Sequence, residues 1–231
     1  MDILKIFGEM DGFSRGIVGT LLLMAVASLS IFMERLWSYR RAARVTKIFS
    51  ADAGVMLAKN GYNDLLSHAE KHKASPFAWL VAETMRFFLQ ARMTPGKLPL
   101  VERVRRDCER KLDAVASDLK RGHSVLASVG SVAPFVGLLG TVVGIIASFQ
   151  SIAKEGSGGL GVVSAGISEA LVVTALGLLV AIPSVLAFNL LSARADKIVL
   201  ELERSRGELL DHLEHTAIEV VWTEGGASRA A

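Results

Sequence analysis

The chain has 231 residues, 51% of them hydrophobic and 6% aromatic, with a mean hydropathy of +0.42, too apolar for an ordinary water-soluble domain. Its 26 basic and 23 acidic residues leave a net charge of +3, which gives no reason to expect a nucleic-acid partner. The one cysteine, Cys108, cannot form an intramolecular disulfide or a cysteine-rich metal site.

The charges are informative where they are missing. Between Arg15 and Glu34 lie 18 residues without a formal charge, between Arg121 and Lys154 lie 32, and Ala170 to Ala193 form a run of 24. About 20 apolar helical residues cross a hydrocarbon core of about 30 Å. The chain therefore reads as an all-α membrane protein with spans at 15–37, 126–152 and 164–192. Ala25-Val26-Ala27 mimics a signal-peptidase site, but the acids Asp2, Glu9 and Asp11 precede the run and it continues to Met33. A retained anchor is the better reading.

Residues 38–124 carry 17 Lys and Arg against 9 Asp and Glu, and five more basic residues follow Ala193. By the positive-inside rule the expected topology has an outer N-terminal segment (1–14) and a cytoplasmic helical domain (38–125). A short outer loop (153–163) and a cytoplasmic C-terminal helix with a disordered tail (193–231) complete it. So little chain outside the membrane cannot reach far into the outer compartment.

In the cytoplasmic part, Asn60-Gly61, Ser75-Pro76 and Thr94-Pro95-Gly96 with Pro99 separate helices expected at about 34–59, 62–73, 76–92 and from 99 onward. Gly122 is the one glycine between Pro99 and Gly130. The last of these helices is thus expected to run unbroken into the second span, as a rod of about 80 Å. Ile198, Leu202, Leu209 and Leu213 beside acidic and basic neighbours extend the third span as an amphipathic helix. Two spans thus continue as long helices into the cytoplasmic domain.

Glu169 is the sharpest anomaly, since an ionised carboxylate in hydrocarbon costs several kcal/mol and intramembrane acids usually mark ion or proton paths. A protonated carboxyl there is a plausible proton carrier; the alternative is an acid solvated at the outer headgroup level. Thr141 and Thr174 accompany it, although Glu169 and Thr174 are five residues apart, about 140° around a helix. Gly130, Gly137, Gly140 and Gly144 in the second span, with Gly166 and Gly177 in the third, suit close helix packing. Pro134 and Pro183 stand at matched depths as candidate kinks.

Other patterns carry less. Gly156-Ser-Gly-Gly-Leu-Gly161 spells G-x-G-x-x-G without a preceding strand. His68 with His72 and His212 with His215 read as solvated surface histidines. No catalytic, metal or cofactor constellation emerges, so an enzyme is disfavoured.

Two stretches, Ser131-Val-Ala-Pro-Phe-Val-Gly-Leu-Leu-Gly-Thr-Val-Val-Gly-Ile-Ile-Ala-Ser-Phe149 and Val163-Ser-Ala-Gly-Ile-Ser-Glu-Ala-Leu-Val-Val-Thr-Ala-Leu-Gly-Leu-Leu-Val-Ala-Ile-Pro183, closely resemble the ExbB/TolQ family, with MotA more distant. The chain departs at Val143, where many relatives have tryptophan. The resemblance implies a pentameric subunit of a motor driven by the proton gradient in the bacterial inner membrane. Five copies would surround two helices of a single-span ExbD/TolR-like partner, with Thr141, Thr174 and Glu169 lining the path. The output would be import across the outer membrane, envelope integrity or gliding. The alternative is a non-conducting membrane scaffold that docks cytoplasmic and membrane partners.

Overall fold

A computed structural model of the chain describes residues 12–59, 61–94, 96–155 and 160–227. The described residues form six helices and no strand: α1 (Gly12–Ala58), α2 (Tyr62–Lys71), α3 (Pro76–Arg92), α4 (Leu100–Leu119), α5 (His123–Glu155) and α6 (Leu160–Ala227). The all-α fold with three long apolar helices agrees with the sequence. Residues 1–11 of the expected outer segment and 156–159 of the expected loop, with most of the G-x-G-x-x-G pattern, lie outside the described residues, as do 228–231 of the tail.

The chain divides into two units, Met1–Arg35 with Gly122–Ser192, and Leu36–Arg121 with Ala193–Ala231. The first contains the apolar stretches of α1, α5 and α6, whose mean hydropathies reach 2.2, 2.1 and 2.5, enough in length and composition to cross a membrane. Its interior is built from Ile17 and Leu21 on α1, Val129 and Ala133 on α5, and Val173 and Ala181 on α6. Leu22, Leu23, Phe135 and Leu179 face outward, the arrangement expected when the solvent is lipid.

Between α5 and α6 the glycines bring the helices into close contact, backbone against backbone at Gly137 and Gly177. A methyl group placed on Gly177 would lie 2.7 Å from the Ala133 carbonyl oxygen and 3.0 Å from Gly137 Cα. One placed on Gly144 would meet Ala170 Cβ at 2.9 Å, and one on Gly140 would meet Val173 Cγ1 at 2.5 Å. Small residues permit this approach, and dispersion replaces the hydrophobic effect as the source of cohesion in lipid. Pro134 and Pro183 both lie inside their helices, where each removes one backbone donor.

The second unit is a conventional helical core. Phe49 from α1, Leu65 from α2, Met85 and Phe88 from α3, Val104 from α4 and Leu213 from α6 are buried together. Leu80, Cys108, Leu112 and Leu202 form an adjoining cluster. The Ser75-Pro76 start of α3 is as the sequence indicates: Ser75 Oγ accepts from the Ala78 N–H at 3.2 Å, with Pro76 in the first turn. Helix α4 shows why its sequence is amphipathic, because Val104, Cys108, Leu112 and Leu119 are buried at steps of three to four residues and their multiples.

One expectation is overturned. The rod from Pro99 into the second span is broken, because α4 ends at Leu119 and α5 begins at His123. Gly122 sits at φ +84, a left-handed conformation that costs a glycine nothing and an L side chain about 1–2 kcal/mol. Its carbonyl accepts from Val125 and Leu126 N–H, opening α5, while the Tyr39 hydroxyl donates to the Leu119 carbonyl at 2.5 Å, satisfying an end-of-helix acceptor of α4. The helices that do extend are the first, 47 residues long, and the third, 68 residues long. The third carries Glu224 to Ala227 as helix, where the sequence suggests a disordered end.

Candidate intramembrane polar site

Polar groups in an apolar helix bundle are costly unless paired, so their partners reveal which are structural. Thr141, 8% exposed, donates to the Leu138 carbonyl of its own helix at 2.7 Å. Ser148 does the same to Gly144 at 2.8 Å. Thr174 behaves differently. Its hydroxyl leaves α6 and donates to the Gly137 carbonyl of α5 at 2.8 Å, at the height where the backbones are closest. The two threonines, one from each helix, thus occupy the consecutive carbonyls of Gly137 and Leu138.

Glu169 stands five residues before Thr174 on α6. It is half-buried, and its Oε1 is shielded from solvent with no hydrogen-bond partner among the described residues. On the next positions α6 presses against α5 through Ala170 against Gly144 and Val173 against Gly140. The hydrogen bonds join neither threonine to Glu169, nor the threonines to each other. Among the described residues Glu169 is thus an acid with one buried oxygen left without a donor, an uncommon state for a buried polar atom.

Several polar groups escape a sequence reading. Ser28 on α1 and Ser184 on α6 share a hydrogen bond at 2.7 Å, with Ser184 also donating to Val180 O; no local pattern pairs residues 156 positions apart. His123, 5% exposed, lies 3.3 Å from Ser192 Oγ through Nδ1 and meets Phe188 edge-on. In the second unit, His68 and His72 are not solvated surface groups. Both are half-buried, with rings 4.6 Å apart, and His68 is stacked on the buried Phe49. Aromatic burial supplied from α1, far back along the chain, is the physical reason. No cluster of three metal-ligating side chains occurs among the described residues.

Three helices long and apolar enough to cross a membrane define a multi-pass helical membrane protein. Residues 81–204 match the MotA/TolQ/ExbB proton channel family, and the chain belongs to that family. Among its relatives is the biopolymer transport protein ExbB of Neisseria meningitidis serogroup A, 31% identical over 87% of this chain and 91% of that protein. The biopolymer transport protein ExbB of Pseudomonas putida is 48% identical over 46% of this chain. The chain spans only 32% of that relative's length. The Tol-Pal system protein TolQ of Pseudomonas aeruginosa is 40% identical over 48% of this chain and 49% of its own length. Thr141, Glu169 and Thr174 all fall inside the family match.

Proposed function

We propose that the chain is the channel-lining subunit of a bacterial inner-membrane motor, in which several copies surround the helices of a single-span ExbD/TolR-like partner. The unpaired, half-buried carboxyl of Glu169 in a member of a proton channel family carries this reading. A carboxyl inside a membrane-spanning bundle is costly to keep there and usually marks an ion or proton path. Thr141 and Thr174 line the neighbouring wall, and their hydroxyls are satisfied there by backbone carbonyls of α5. The N-terminus lies on the periplasmic side and the basic second unit in the cytoplasm, following the charge distribution.

One proton crossing 100 mV releases about 2.3 kcal/mol. The partner carries the resulting work outward to the envelope, in biopolymer transport or in a Tol-Pal-like role, the two processes named for the relatives.

The test is proton flux into liposomes holding this chain with its partner. Glu169→Ala and Glu169→Gln abolish flux while assembly with the partner, followed by co-purification, is unchanged. Wild-type flux in both variants overturns the role of Glu169. Absence of flux in the wild-type complex favours the scaffold reading.

A further inference from the structure

We propose that Trp37, Arg40 and Arg41 of α1 form a binding site for the headgroup of an anionic phospholipid. The proposal holds whether or not the chain conducts protons. Its basis is a local run of cations with no acid beside them, where several other cations of the second unit are paired. Arg86 pairs with Glu70 and Glu83, Arg105 with Glu214, Arg106 with Glu102, and Lys120 with Asp196. On α1, Arg40, Arg41, Arg44 and Lys47 are exposed, and among the described residues none of them has a carboxylate partner. No acid occurs between Glu34 and Asp52. Four uncompensated cations on consecutive turns of one helix call for anions from elsewhere.

Position on the helix identifies the source of those anions. The opposite side of α1 is committed to the protein, through buried Tyr39, Ala42 and Phe49, leaving Trp37, Arg40, Arg41 and Arg44 outward. Trp37 is 65% exposed, too large an apolar surface to leave in water without use. It follows the last apolar residue of the run, Met33, by four positions, about 6 Å of helix. A headgroup layer is about 5–7 Å deep on each side of the hydrocarbon, so Trp37 falls at the depth where tryptophans gather in membrane proteins.

The arginines are aimed the same way. Side chains on a helix lean toward its N-terminus, and in α1 that direction leads back to the apolar run. Arg41 shows the lean directly, its guanidinium carbon lying over the Trp37 ring at 5.5 Å from the centroid. Stacking occupies the face of a guanidinium and leaves its N–H fork free to grip a phosphate. Arg44 and Lys47 lie a further turn or two away and add field without contact. A free phosphate would have no use for the tryptophan or for adjacency to a membrane span; a lipid phosphate uses both.

The test uses the full chain, carrying Trp79→Phe and Trp222→Phe so that Trp37 is its one tryptophan, in phosphatidylcholine nanodiscs with a trace of dansyl-labelled lipid. Energy transfer from Trp37 to dansyl-phosphatidylglycerol exceeds that to dansyl-phosphatidylcholine at equal mole fraction. Each arginine contributes about fivefold to this preference, so Arg40→Gln with Arg41→Gln brings it close to one. Lys59→Gln with Arg92→Gln, the same loss of charge at exposed positions of the same unit, leaves it intact. Equal transfer to both lipids in the parent, a preference surviving Arg40→Gln/Arg41→Gln, or an equal loss in the Lys59/Arg92 variant overturns the proposal. Abolition by inorganic phosphate at constant ionic strength also overturns it, by showing a general anion site.

Discussion

The Thr174 hydroxyl on α6 donates to the Gly137 carbonyl on α5, so a side chain in the family-matched region is a bond between helices. Such bonds in membranes are worth about 0.6–1.7 kcal/mol. Thr174→Val, which keeps the shape and loses the donor, lowers the thermal midpoint of the purified protein, whereas Thr174→Ser stays near the parent. Equal midpoints for Val and Ser variants would show that the bond contributes nothing.

Gly177 tolerates no side chain, because a Cβ would sit 2.7 Å from Ala133 O and the obstacle is backbone. Gly177→Ala is therefore expected to destabilise by about 1–3 kcal/mol. Gly16→Ala on α1, where a Cβ meets nothing within 4 Å, is neutral or slightly stabilising because alanine is the better helix former. Denaturant titration of the two variants in matched micelles measures the difference.

At Gly122 the backbone has φ +84, and a Cβ there would lie 3.0 Å from Ile31 Cγ2. Alanine at this position adds left-handed strain of about 1–2 kcal/mol. Asparagine, which accepts this conformation more readily, costs less backbone strain. Gly122→Ala lowers the thermal midpoint more than Gly122→Asn does; the reverse order would mean that space beside Ile31 decides, not the dihedral.

Burial pushes the Cys108 thiol above its ordinary value of 9.0, with the Thr84 hydroxyl, donating to Sγ at 3.3 Å, working in the opposite direction. The folded state thus holds its proton more tightly than the unfolded chain does. Stability from this group is constant below about pH 9 and falls as pH rises beyond it. Maleimide at pH 8 leaves Cys108 unmodified in the native protein and labels it after denaturation, read by mass spectrometry. Rapid native labelling is the contrary result.

The sequence exposes what is local and hides what depends on distant partners. The Ser75-Pro76 cap is legible because a hydroxyl, a proline and the N–H of Ala78 lie within four residues. The three spans are legible because hydropathy accumulates over 18 or more residues. The break at Gly122 is not, since a single glycine in a helical run is compatible with either outcome; Tyr39, 80 residues before its acceptor Leu119, helps define where α4 ends. His68 reads as a surface group for the same reason, because Phe49 covers it from another helix. Glu169 is conspicuous by charge alone, but only the fold reveals that one of its oxygens is left without a donor.

The glycine seam between α5 and α6 also restricts how the bundle can repack. Where Gly137 and Gly177 meet, the contacts are backbone atoms and glycines have no rotamers, so this stretch of the seam cannot adapt by reshuffling side chains. The adaptable surface lies on the other sides of these helices, where Phe135, Ile146, Leu178 and Leu179 stand exposed with rotamers of their own. An added methyl group in that stretch can therefore be met only by moving a helix, whereas a substitution on the outward faces can be met by rotating a side chain.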